Sequence, residues 1–138
     1  MIMKLIDNVM VELQKLGLLP KKEEFGIGFK YQMVNYVYMD DNEEEYLKIY
    51  IPGIMEVDDD DLGMVLTLLN SINNKMKVVK LVVADNLVWC CYEARVHEGV
   101  NLGDMVEHAV EALHVSYQQF NDLLKGLVEA VSDNSELN

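Results

Sequence analysis

The side chains best suited to chemistry are few and scattered. Glu111 and His114 have the ExxH spacing with which di-iron bundles present two ligands from one helix face, and Glu107 stands one turn earlier. Such a centre needs a second ExxH and two further glutamates, and the chain has no second copy, so surface ion pairing or solvation is the expected role. The acidic run "EVDDDDLG" suggests a calcium loop. A loop starting at Asp58 requires a carboxylate at its fifth position and a glutamate at its twelfth, where Leu62 and Leu69 stand, and one starting at Asp40 has Glu45 where glycine is required. Cys90 and Cys91 are adjacent, with Glu93 and His97 close behind. A nucleophilic thiol needs a base brought near in space, whereas a cysteine in a strand is ordinarily a small buried hydrophobe. Walker A, GxGxxG and CxxC patterns are absent, and "GIG" at 26–28 lacks a strand-to-helix context. No catalytic residue, cofactor or metal is expected.

The 138 residues, half of them apolar and a quarter charged, suffice for one domain with one core, here taken as residues 1–138. The net charge is −13, and ten acids crowd into residues 40–61 beside a single lysine, Lys48. That field repels nucleic acid and anionic membranes; a solvated acidic surface is its commoner meaning, attraction of basic partners the alternative. Adjacent strand cysteines point to opposite faces, so no disulfide framework follows. The N-terminal stretch is broken by Lys4, Asp7, Glu12 and Lys15, unlike a signal peptide, and no apolar run is long enough for a membrane span. A cytoplasmic location is expected.

These residues must be positioned by helices and strands that the pattern outlines. Ile2, Leu5, Ile6, Val9, Leu13 and Leu16 recur at helical spacing, and Gly17 with Pro20 ends a first helix over about 2–16. The tyrosine-rich and β-branched runs 25–40 and 45–57, separated by "DNEE", predict antiparallel strands. Glycines 26 and 28 are the candidates for splitting the first run in two. In the second run Leu47, Ile49 and Ile51 should face a core, with Tyr46, Lys48 and Tyr50 nearer water. Tyr36 and Tyr38 fit either face, because a one-residue register change exchanges them.

Aspartates 58–61 should cap a second helix carrying Leu62, Val65, Leu66, Leu69, Ile72 and Met76 to about residue 75. A hairpin around Ala84, Asp85 and Asn86 follows. A long last helix is then capped by Asn101 and striped by Val106, Val110, Leu113, Tyr117, Phe120, Leu124, Leu127 and Val131, with residues 132–138 as a frayed tail. The order α-β-β-(β)-α-β-β-α, with four to five strands and three helices, is that of an antiparallel α+β domain.

Candidate surfaces follow from the same pattern. Tyr36, Tyr38, Tyr46, Tyr50 and Trp89 are candidates for binding a partner, although core packing is the commoner use of such rings. Met64 and Leu68 form a second apolar strip on the middle helix, suited to a homodimer contact or to packing on the sheet. Asn70 and Asn73 are structural candidates. Asn73 falls within the apolar stripe, where its amide can satisfy backbone groups at the helix end and the following strand.

An apolar helix ending "LLNSIN", a hairpin "VVKLVVADNLVWCCYEA" and a long helix beginning "NLGDMVEHAVEAL" together resemble the YbjN-like domains, a group also labelled candidate bacterial sensory transduction regulators. The resemblance implies the type III secretion chaperone-like fold in a small, acidic, cytosolic, commonly homodimeric protein without enzymatic activity. Secretion chaperones of that fold hold partly unfolded segments of other proteins. The expected function is therefore a non-catalytic protein-binding module, chaperone-like or regulatory, that captures an extended partner segment on an exposed sheet edge, by strand addition, or on an apolar helix surface. The alternative is a small-molecule sensor or enzyme, with a pocket between sheet and last helix near Cys90, Cys91, Glu93 and His97.

Overall fold

The computed structural model describes residues 3–136, with side chains through Val131. Helix α1 (Leu5–Lys15) is followed by strands β1 (Lys21–Glu23), β2 (Gly26–Tyr31), β3 (Val34–Met39) and β4 (Tyr46–Glu56). Helix α2 (Leu62–Lys75), the hairpin β5 (Val79–Ala84) and β6 (Leu87–Arg95), and helix α3 (Leu102–Glu136) complete the chain. The strands form one antiparallel sheet in the order β1-β2-β3-β4-β6-β5.

Six strands replace the four to five expected. The run 25–40 does divide, but at Gln32 and Met33 rather than at its glycines. Both residues have positive φ (52° and 69°) and close a two-residue reversal between the paired Tyr31 and Val34. Such a turn favours asparagine and glycine, so these side chains gave no signal of it. The extra strand, β1, is three exposed residues paired with β2. Gly26 (φ 147°) is needed where β2 meets β3, because a Cβ there would lie 2.1 Å from the Tyr38 carbonyl oxygen.

The register settles the tyrosine parity. Tyr38 pairs with Ile49 and Val37 with Tyr50, so Tyr36 and Tyr38 share a face with Leu47, Ile49 and Ile51. This face carries Ile27, Phe29, Leu81, Val88, Cys90 and Tyr92 as well, and all three helices cover it. Tyr36 donates a hydrogen bond to the Val110 carbonyl of α3 (3.0 Å), and Lys22 pairs with Asp7 of α1 (3.0 Å). Val9 and Leu13 of α1, Val65, Leu69 and Ile72 of α2, and Val106, Val110, Leu113 and Phe120 of α3 fill the space between.

Several local expectations change. Helix α1 begins at Leu5, whose amide donates to Glu44 Oε2 (2.7 Å), while Ile2 lies outside the described residues. Asp59–Asp61 form a 3₁₀ turn without side-chain caps, so their charge acts on α2 only through its dipole. Asn101 does cap α3, accepting from the Asp104 amide (3.1 Å). The helix continues to Glu136, past the start of the expected fray at 132, and residues 137 and 138 lie outside the described residues. At about 1.5 Å per residue its 35 residues extend roughly 52 Å. Along its outer turns Leu123 and Val128 are exposed.

Candidate protein-docking face

Alternation along each strand sends the other half of the side chains to the face opposite the helices. Val37 and Met39 of β3, Tyr46, Lys48 and Tyr50 of β4, Trp89, Cys91 and Glu93 of β6, and Lys80 and Val82 of β5 stand there. No helix among the described residues covers them, and Met39 and Tyr46 are exposed while Val37, Tyr50, Val82 and Trp89 are half-buried. Tyr50 and Trp89 meet edge to face, with ring centroids 6.3 Å apart. Phe25, in the link between β1 and β2, lies 40% exposed over the same face, close to Gly28.

Two concavities share Phe25. One, of about 380 Å³, is walled by Met39, Tyr50 and Trp89 and rimmed by Asp40, Asp41, Lys48 and Glu93. The other, of about 570 Å³, is walled by Leu18, Leu19 and Val37 and rimmed by Lys21, Glu23, Lys30 and Asn35. Both volumes fall within the range of ordinary binding sites. The Trp89 indole Nε1 is a buried donor with no acceptor among the described residues.

Charge on this face is organised by Lys48, which is buried rather than near water as its place in the alternation suggested. Asp41 and Glu43 both bind its ammonium and hold its pKa above the usual lysine range, while Asp41 is lowered chiefly by the hydrogen bond from Lys48. With Glu44 at the start of α1, these contacts fasten the acidic 40–45 loop beside the smaller concavity. Lys80 pairs with Glu93 at 2.8 Å, which raises the lysine. Burial raises the Tyr50 phenol, with the Glu93 charge adding to the effect.

The partner-binding candidates separate on this geometry. Tyr36 and Tyr38 are 1% and 2% exposed in the helix-covered core, a correction forced by the β3–β4 register. Tyr50 and Trp89 come together on the open face, and Tyr46 stands at its far end opposite Arg95. Phe25, Val37 and Met39 escaped the sequence reading. Val37 and Met39 follow from alternation once Val37 is paired with Tyr50, but nothing in the pattern places Phe25 between two concavities.

Met64 and Leu68 line an apolar groove of about 390 Å³ between α2 and the outer part of α3, together with Leu123 and Leu127. Asn70 is exposed, and its side chain makes no hydrogen bond among the described residues. Asn73 is exposed beside the buried stripe rather than within it, yet its amide spans both backbone groups of Leu81. Its Nδ2 donates to the carbonyl (3.0 Å) and its Oδ1 accepts from the amide (2.8 Å). These bonds occupy the outer edge of β5.

The groups suggested for a sensor or enzyme are not assembled. Cys90 lies under the helices near Ser116, while Cys91 and Glu93 belong to the open face and His97 to the loop after β6. Burial pushes the Cys90 thiol up to about 11 and the Cys91 thiol up to about 12. The His114 ring sits edge-on to Tyr31 (5.3 Å) and beside Tyr117, with Nδ1 buried, rather than solvated with Glu111. Among the described residues no three histidine, cysteine, aspartate or glutamate side chains converge as a metal would require, and no helix is long and apolar enough to cross a membrane.

No protein-family model matches the sequence, and no curated protein matches it either. Among solved structures, the crystal structure of YbjN from E. coli superposes with a TM-score of 0.64 at 14% identity, covering 88% of this chain and 92% of that one. The chain has the fold of YbjN. The α+β architecture expected from the sequence is thereby established, with six strands and three helices.

Proposed function

We propose that this protein is a non-catalytic binding module, regulatory or chaperone-like, that holds an extended segment of another protein across the open sheet face. The observation that carries this reading is the uncovered apolar strip of Phe25, Val37, Met39, Tyr50 and Trp89 on the back of a sheet whose helices all lie on the other side. Partly exposed aromatic and aliphatic side chains rimmed by charge have the composition of a protein interface. Capture by strand addition is disfavoured at both edges. Asn73 occupies the Leu81 backbone groups on β5, and β1 offers only three residues, two of them lysine. The segment accordingly lies over the sheet and binds through side chains. YbjN is described as a candidate transcription regulator, which accords with a regulatory role. The acidic surface of this chain favours acting through a protein over gripping a duplex.

The test is affinity capture from native cytosol, comparing wild type with a Tyr46→Asp, Tyr50→Asp variant whose far-ultraviolet circular dichroism matches it. A specific protein retained by wild type and lost by the variant supports the reading. Identical protein sets on the two, or a small molecule as the one species lost, refute it.

A further inference from the structure

The two concavities of the open face differ in charge. The larger has Lys21 and Lys30 on its rim against Glu23, a positive balance in a chain of net charge −13. Neither lysine makes an ion pair among the described residues, in contrast to Lys22, Lys48 and Lys80. The smaller has Asp40, Asp41 and Glu93 against Lys48, a negative balance. Phe25 stands between them.

Resting on the docking reading above, we propose that the segment this face accepts is bipolar, with an acidic end over Lys21 and Lys30, a basic end over Asp40, and two apolar anchors seated on either side of Phe25. The dimensions set its length. From β1 to β6 across the sheet are four strand spacings, about 19 Å, which six extended residues span. The larger concavity centres on β2 and the smaller on β4, two spacings or roughly 10 Å apart. One turn of a polyproline II helix brings residues i and i+3 to the same side at about 9 Å, so anchors three residues apart match the pair. A backbone in that conformation needs no sheet edge.

Calorimetric titration with three peptides tests this: Ac-EEFPPFKK-amide, Ac-KKFPPFKK-amide and Ac-EEFPPFEE-amide. At low salt the bipolar peptide should bind wild type about five-fold more tightly than either of the others, as expected of a few exposed ion pairs. The Lys21→Glu, Lys30→Glu variant changes two exposed side chains and should reverse the order in favour of the doubly basic peptide. Equal binding of all three, or an order the variant leaves unaltered, overturns the bipolar segment while leaving an apolar docking face in place. Absence of binding by all three up to millimolar concentration overturns both. If wild type is then a dimer that a Phe25→Glu substitution dissociates, the face belongs to a second copy of this chain.

Discussion

Replacing Asn73 with leucine isolates the contact that closes the sheet on its β5 side. The side chain makes two hydrogen bonds to Leu81, at 2.8 and 3.0 Å, and Leu81 itself is 2% exposed. Each such bond contributes about 0.5–1.5 kcal/mol net. Asn73 is solvent-exposed, so water replaces part of what is lost and the gross cost settles at about 1–2 kcal/mol. Leucine regains about 0.5 kcal/mol through its better helix propensity. The net loss is then about 0.5–1.5 kcal/mol. With an unfolding entropy of about 2.1 cal/mol/K per residue, a chain of 138 residues loses about 2–5 °C in Tm. Differential scanning calorimetry reads this directly, and Asn70→Leu is the control. Asn70 has the same helix and the same propensity gain but no bond to lose, so its Tm should hold or rise. The freed Leu81 edge should also favour association between chains, visible as concentration-dependent light scattering. An Asn73→Leu protein that melts with wild type, or an Asn70→Leu protein that falls equally, would refute the clamp.

The remaining predictions concern the core and the apolar groove. Tyr36→Phe deletes the bond to the Val110 carbonyl and should cost about 1 kcal/mol, or about 3 °C in the same calorimetric scan. Gly26→Ala forces a Cβ against the Tyr38 carbonyl at a φ of 147°, and chemical denaturation should show a loss of about 3 kcal/mol. Both thiols have folded pKa values raised above those of the unfolded chain, so the unfolded state releases protons first as the solution becomes alkaline. The thiol contribution to stability should be level through neutral pH and fall between about pH 8.5 and 11, by roughly 1 kcal/mol per pH unit per thiol, with a shallower slope in Cys90→Ala; a flat urea midpoint over that interval would count against it. If the α2–α3 groove joins two copies, sedimentation of a Met64→Lys, Leu68→Lys variant should show monomer where wild type shows dimer.

What local sequence determines here is whatever one strand or helix settles by itself. The alternation of Leu47, Ile49 and Ile51 marked a core face because side chains in a strand alternate regardless of its neighbours. Asp85 and Asn86 marked a reversal because both tolerate positive φ, and they adopt it at 52° and 63°. Asn101 marked a helix start because its short side chain reaches the Asp104 amide. The four aspartates at 58–61 show the limit of such reasoning. Their composition suits a cap, but the 3₁₀ turn gives none of them the cap geometry.

Pairing decided the rest, since the partner across a ladder is not written in the strand that meets it. Tyr36 and Tyr38 became core and Val37 and Met39 surface only when Val37 fell opposite Tyr50, in a hairpin whose register no single run specifies. The reversal at Gln32 and Met33 is held by the β2–β3 ladder on either side rather than by its own side chains. Lys48 became a buried ion centre because the loop before β4 brings Asp41 and Glu43 back over it. The candidate docking face exists for the same reason. Its aromatic residues are legible one by one, but which of them share a surface depends on three helices all packing against the other side of one sheet.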